Sequence, residues 1–374
     1  TAGDGATSAD NCTCADYGPG FVRLGQLDKC VCTETAYPDE FTGWDPQGQA
    51  GPYATSTPIL APGELKDAKD AVVSSDQTYI YVSDTDAQTR IKRITISSGD
   101  VVTYGGNSHY SIIGARHMGI TPDDQTLFFS DEGDKILAMK TSAFGNAGTG
   151  DDRDWQWADI FYAPVCSGGD AYVLNFAVVR DGSYLIVLSQ TKGWSSYYCL
   201  HFVSPLTGGE DTSKKLEWSD PKSQYFSHLD ADNTIMTLSP DGDLMYFIRK
   251  SGTPAQFMVY VVDTCLNAGC AEAPTAVQLV VDNPFNEVFW MESDPNGKYL
   301  WLCDTNNNLH RFDSATNEFD IAISIGSNAK QYFSAVSPAG DFIVWLKTDQ
   351  TDQSLHKFYT GQVYANLTTH TCRA

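Results

Sequence analysis

Short apolar runs separated by polar turns recur along this chain. In Tyr299–Phe319, YLWLCDTNNNLHRFDSATNEF, two such runs flank a polar turn and a second turn follows. Six segments share one hairpin design: VVSSDQTYIYVSD from Val72, GITPDDQTLFFSDE from Gly119, VVRDGSYLIVL from Val178, LSPDGDLMYFI from Leu238, SDPNGKYLWLCD from Ser293 and VSPAGDFIVWL from Val336. Each reads as a short strand, a Pro/Asp/Gly turn and a strongly apolar strand. Proline presets the first turn φ, and Gly or Asp tolerates the positive φ that follows. The pattern puts the turn pivots at Asp76, Asp124, Gly182, Gly242, Gly297 and Gly340, at intervals of 48, 58, 60, 55 and 43 residues. Four-stranded units repeating every 40–50 or so residues are the mark of a β-propeller, the wider intervals here being loop insertions.

Burial explains the repeat. The second strand of each hairpin is apolar on both faces, as in Tyr184–Leu188, Leu244–Ile248 and Phe342–Leu346. Such a strand must be covered on both sides, and stacked blades provide this. After a polar turn each unit continues with a further strand, expected at the blade's outer side: RIKRITI from Arg90, KILAMK from Lys135, YYCLHFV from Tyr197, FMVYVVD from Phe257, LHRFD from Leu309 and LHKFY from Leu355. The expected fold is all-β, a six-bladed β-propeller over 65–374 with a small disulfide-stapled N-terminal arm. Blade closure is expected to borrow a strand from near Phe41–Leu60 or from the tail GQVYANLTT.

The stretches SPDGDLMYF and GKYLWLCDTNNNLHRFD resemble the repeats of NHL-type six-bladed propellers, a broad group that includes gluconolactonase-like and strictosidine-synthase-like proteins. The resemblance runs from Asp67 to Tyr364 and speaks to fold more than to function.

Residues 1–40 differ. NCTCADYGPGFVRLGQLDKCVC carries CxC twice and resembles the end of an EGF-like module, with four cysteines where a full module has six. Residues 41–64 are rich in Gly, Pro and Thr and read as a linker or surface wrap.

The 374 residues carry a formal net charge of −23. That balance disfavours nucleic acid and anionic lipid as partners, and no apolar run approaches the ~20 residues of a membrane span. Ten cysteines, an even number, occur at Cys12, Cys14, Cys30, Cys32, Cys166, Cys199, Cys265, Cys270, Cys303 and Cys372. Glycosylation sequons stand at Asn11 and Asn366. With a first residue Thr1 that reads as a processed end, these features point to a secreted, disulfide-bonded glycoprotein. The expected pairs are Cys166–Cys199, Cys265–Cys270 and, by elimination, Cys303–Cys372. Four thiolates in the CxC pairs suit disulfides better than zinc, whose sites favour CxxC.

The candidate chemistry is sparse. Turns such as DTDAQTR (Asp84, Asp86), DEGDK (Asp131, Glu132, Asp134) and DTNNN (Asp304, Asn306, Asn308) place oxygens at alternate positions, a pattern suited either to Ca²⁺ or to ordinary turn chemistry. No G-x-S-x-G elbow is present. Gluconolactonase-like propellers hold one divalent metal in the central channel, with ligands from the innermost strands. Seven residues before the pivots stand Lys69, His117, Asn175, Ile235, Trp290 and Phe333; six before stand Asp70, Met118, Phe176, Met236, Met291 and Ser334. Neither ring is a cage of oxygens. The best set the resemblance supplies for one Ca²⁺ is Asp70, His117, Asn175, Asn233 and Glu287. Trp155, Trp157 and Trp194 are candidates for stacking on a glycan.

The expected function is an extracellular structural or interaction scaffold without a cofactor, a subunit of a matrix or surface filament. Its partners would be other extracellular proteins, glycans, or a second copy docked head to tail through Cys12–Tyr53. A Ca²⁺-dependent lactonase or hydrolase, and a carbohydrate-binding lectin, are the alternatives.

Overall fold

The computed structural model describes residues 21–23, 30–32 and 57–359, apart from 85–89, 105–116, 132–134, 147–158, 167–168, 193–196, 220–225, 227–228, 230–233, 252–255, 267–269, 271–272, 280–287, 296, 307, 315, 317, 325–329, 341 and 350–351. The arm contributes a two-stranded hairpin, β1 (Phe21–Arg23) against β2 (Cys30–Cys32), with Phe21 opposite Cys32.

The propeller begins with β3 (Thr57–Leu65). Blade 1 is β4 (Ala68–Val73), β5 (Tyr79–Asp84), β6 (Arg90–Thr95) and β7 (Val101–Tyr104). Blade 2 is β8 (Met118–Ile120), β9 (Thr126–Asp131), β10 (Lys135–Lys140) and β11 (Asp159–Tyr162). Blade 3 adds a short strand, β12 (Val165–Cys166), to β13 (Gly169–Val178), β14 (Leu185–Thr191), β15 (Tyr198–Val203) and β16 (Leu216–Trp218). Blade 4 is β17 (Met236–Leu238), β18 (Leu244–Ser251), β19 (Gln256–Asp263) and β20 (Val277–Gln278). Blade 5 is β21 (Val288–Ser293), β22 (Tyr299–Asp304), β23 (Asn308–Asp313) and β24 (Glu318–Ser324). Blade 6 is β25 (Lys330–Val336), β26 (Phe342–Asp349) and β27 (Asp352–Tyr359), completed by β3. Within each blade the strands are antiparallel. The first strands of the blades contact one another in a closed ring around the axis.

The closing strand lies across the boundary drawn from sequence. Thr57–Glu64, read there as the end of a linker, belong to the propeller. Leu60 pairs opposite Leu355, and both Leu60 and Leu65 are buried. Pro58 and Pro62 misled the reading, yet proline is tolerated on an outermost strand because one edge needs no donor. The runs expected at the outer side of the blades are third strands; shorter or more polar fourth strands, such as Val277–Gln278, lie outside them.

All six first turns close with the same two backbone bonds. Residue i donates to the carbonyl of i+5 and accepts from the N–H of i+3, with i at Ser74, Thr121, Val179, Ser239, Asp294 and Ser337. The positive-φ residue is therefore Gln77 (57°), Asp124 (58°), Gly182, Gly242, Gly297 and Gly340. In blade 1 this corrects the pivot from Asp76 to Gln77. Asp76 looked like the pivot because it is a turn Asp, but its carboxylate accepts from the Ser74 hydroxyl and the Thr78 N–H instead.

The core is divided by the seams between blades. One apolar cluster fills each: Tyr81 with Phe129 between blades 1 and 2, Phe128 with Val187 between 2 and 3, Leu188 with Phe247 between 3 and 4, Ile248 with Leu302 between 4 and 5, Trp301 with Trp345 between 5 and 6, and Val344 with Ile80 between 6 and 1. Alternate residues of one strand serve opposite seams, which is why the second strands are apolar on both faces.

Cys166–Cys199 ties β12 to β15, and Cys265–Cys270 closes a short loop after β19. Cys303 is a correction: it is a free, fully buried thiol in the seam of blades 5 and 6. It sits mid-strand opposite Leu309 with Trp290 across the other side, so it packs as a small apolar side chain. Its proposed partner Cys372 lies outside the described residues, as do Cys12 and Cys14.

Candidate functional site

The axis is where six distant segments converge, and the corrected pivot changes how it reads. Counting seven residues back from each positive-φ residue gives Asp70, His117, Asn175, Ile235, Trp290 and Phe333; the first five share one register against the second strand, and Phe333, which precedes the bulge of its blade, pairs one position nearer the turn. Asp70 and His117 each donate their backbone N–H to a second-strand hydroxyl oxygen, Ser83 Oγ and Ser130 Oγ respectively. Three of the sequence candidates, Asp70, His117 and Asn175, thus stand at one level in consecutive blades. Blades 4 and 5 put Ile and Trp there, and blade 6 puts Phe one position nearer the turn. Asn233 and Glu287 lie outside the described residues, as do Trp155, Trp157, Trp194, Asn11 and Asn366.

Two polar side chains of this ring, Asp70 and Asn175, bond backbone on the next blade. Asp70 Oδ2 accepts the Met118 N–H at 2.7 Å, joining blades 1 and 2. Asn175 Nδ2 donates to the Thr234 carbonyl at 2.9 Å, joining blades 3 and 4. Sequence reasoning missed the third member. Glu292, two residues further along its inner strand, accepts the Val336 N–H at 2.7 Å and joins blades 5 and 6. Its signal was a single acidic residue inside the otherwise apolar run VFWMES. Between blades 4 and 5 the Ser293 N–H reaches Thr237 Oγ1. Between blades 6 and 1 the Ala68 N–H reaches Gln353 Oε1 at 2.6 Å.

Asp70 and Glu292 are surrounded by protein while keeping part of their surface accessible, as residues bordering an axial channel do. Burial pushes the Asp70 carboxyl up to about 7, against the two N–H bonds that favour its anion. Burial, together with the Asp70 carboxylate, pushes Glu292 up to about 8. The charge of Asp70 is thus felt at Glu292, although the two stand on different blades.

Arg180 was also missed. It fills the turn position where the other blades have Ser75, Pro122, Pro240, Pro295 and Pro338. From blade 3 its guanidinium donates to the Pro295 carbonyl of blade 5 at 2.5 Å and to the Pro338 carbonyl of blade 6 at 2.7 Å.

Away from the axis, three blades carry a buried polar pair between the second and third strands. Lys92 meets Asp84 at 2.6 Å, and His310 meets Asp304 at 3.0 Å. His201 lies 2.6 Å from Ser189 Oγ through Nε2 and, through Nδ1, 2.8 Å from Glu210 and 2.9 Å from the Tyr162 hydroxyl. The Ser–His–Glu distances suit a relay, but Ser189 and His201 are completely buried, so the group serves as a packed lock between blades 2 and 3. Burial holds the His201 pKa below its ordinary value.

Of the turn residues weighed for Ca²⁺, Asp84 and Asp304 are engaged in hydrogen bonds, and Asp86, Glu132 and Asp134 lie outside the described residues. Asp84 accepts from the N–H groups of Lys66 and Asp67. Asp304 accepts from the Asn306 and Asn308 N–H groups and from Asn308 Nδ2. The Asp304 bonds are local Asx-type turn bonds, whereas those of Asp84 fasten the segment that leads into β4. Among the described residues, Asp263, Cys265 and Cys270 bring three potential ligand atoms together, and there the two sulfurs are joined to each other.

No protein-family model matches the sequence, and no curated protein matches it. Among solved structures, the chain is similar to one from Kuenenia stuttgartiensis hydrazine synthase, with TM-score 0.51 and 11% identity, over 79% of this chain and 96% of that one. At that identity the likeness concerns the propeller fold alone.

Proposed function

We propose that this chain is a secreted glycoprotein that acts as an extracellular interaction scaffold, with the propeller as a rigid body and the N-terminal arm as its docking element. The observation that carries the reading is the use made of the axial polar groups. Asp70, Asn175 and Glu292 each spend a side-chain atom on the backbone of the next blade. Ile235, Trp290 and Phe333 stand where a ring of cation ligands would need oxygens. The axis is built to hold blades together. The two disulfides fit an oxidising compartment, and the charge of −23 suits a protein kept soluble at high local concentration.

On this reading Cys12–Tyr53 packs against another extracellular protein or a second copy, and Asn11 and Asn366 carry N-linked glycan. Deletion of residues 1–53 is the test. The truncated protein keeps β3 and the complete ring, so it should fold with unchanged thermal stability and lose assembly. Unchanged assembly after the deletion contradicts the role of the arm. One tightly held divalent ion per chain, with lactone or ester hydrolysis abolished by Glu287→Gln, would overturn the scaffold reading in favour of a metal-dependent hydrolase.

A further inference from the structure

The six first turns converge at one end of the axis, and they are stacked. A Cβ on Gly182 would meet the Pro122 ring at 3.2 Å, and one on Gly297 would meet Pro240 at 2.9 Å. Ser75 donates from its N–H and its hydroxyl to the Asp124 carboxylate at 2.8 and 2.6 Å. Three pivots, Asp124, Gly182 and Gly297, thus rest on the first central residue of the preceding turn, while Gly242 packs against Val179 and Leu266. Arg180 breaks this nearest-neighbour pattern. Blade 3 stands opposite blade 6 in a six-membered ring, so a side chain from Arg180 that reaches the carbonyls of Pro295 and Pro338 crosses the axis. Two charge-assisted bonds hold the planar guanidinium in the gap between turns.

We propose that Arg180 is an axial stopper that closes the turn end of the propeller and forms the floor of an acid-lined axial chamber. Glu292 lies two residues above its turn and Asp70 four above its own, roughly 7 and 13 Å along the strands at about 3.3 Å per residue. The charged and titratable groups around the chamber are Arg180 and Asp294 at its floor, Glu292 on β21, Asp70 on β4 and His117 just before β8. Asp294 is the anion that Arg180 faces. A dry floor fits the upward displacement of both acids caused by burial.

The test compares wild type with Arg180→Met, which keeps the length and removes the donors, and Arg180→Lys, which keeps the charge and loses the two-point bridge. Two quantities are read: amide exchange at Met118 and Val336, whose N–H groups Asp70 and Glu292 hold, and the dependence of unfolding stability on pH between 5 and 8. With the stopper removed, water enters at the floor. Both amides should exchange at least tenfold faster, and the pH dependence should flatten as the acids return toward the ordinary carboxyl range. Arg180→Lys should fall between the two. If Arg180→Met does not fold, Arg180→Lys decides by the same readouts. General loosening that speeds all amides alike while leaving the pH dependence at its wild-type slope would overturn the proposal, as would wild-type values of both.

Discussion

Lys92 Nζ lies 2.6 Å from Asp84 Oδ2, with the two side chains 10% and 1% exposed. The pair belongs to blade 1 but fastens the segment that closes the ring. Lys92 also donates to the Glu64 carbonyl, and Asp84 accepts the Lys66 and Asp67 N–H groups. Breaking a buried pair leaves one charge uncompensated. Asp84→Asn and Lys92→Met should therefore each cost roughly 3–5 kcal/mol in denaturant unfolding, Asp84→Asn more because it also weakens the acceptor for two N–H groups. The double variant should cost less than the sum of the two. Strict additivity would show that the pair does not act as a unit.

The free thiol of Cys303 makes a labelling prediction. Burial raises its pKa well above the ordinary thiol value, and the neighbouring Asp304 carboxylate adds to the rise, so native Cys303 should resist alkylation at pH 8. Peptide mapping after native alkylation should find this residue unmodified, and alkylation in denaturant should modify it fully. A Cys303–Cys372 peptide in a non-reducing digest would contradict the assignment.

Asp70 and Glu292 set a pH dependence whose sign is fixed by their raised values. Between the unfolded carboxyl range near 4 and the folded values of about 7 and 8, the native state holds protons that the unfolded chain has released. Stability must fall as pH rises through that window. His201 acts on the other side. Its depressed pKa means that below about 6.5 the unfolded chain takes up a proton the native state refuses, so stability falls as pH drops. Urea unfolding should thus be most stable in the weakly acid range. Asp70→Asn with Glu292→Gln should remove most of the loss toward pH 8, on the order of 2–4 kcal/mol. An unchanged alkaline limb in that double variant would exclude these acids as its source.

The hairpin repeat was legible because turn chemistry is local. Gly182, Gly242, Gly297 and Gly340 sit at the positive-φ position the sequence pattern requires, and the two-faced apolar strands demand neighbours on both sides. Blade 1 was misread by one residue because Gln77 rather than an Asp or Gly takes the left-handed conformation. The axis was less legible. Bulges at Ala68/Asp70, Val173/Asn175, Val288/Trp290 and Phe333/Ala335 interrupt the inner-strand register just where residues from different blades must be aligned. Glu292 joins Asp70 only through the folded ring, 222 residues apart in sequence (292 − 70). Arg180 carried a signal, being the one Arg where the other first turns have Ser or Pro, but the carbonyls it would reach belong to blades 5 and 6. The Cys303 pairing failed because elimination assumes that every cysteine is oxidised, whereas a mid-strand seam position selects a small apolar side chain.

The measurement that tests the scaffold reading most directly is the mass and shape of the native, glycosylated protein, by light scattering and negative-stain microscopy, with and without EDTA. The account predicts oligomers or filaments in which the propeller repeats as a rigid unit, unchanged by the chelator. A compact monomer in both conditions, at concentrations that would support assembly, would contradict it.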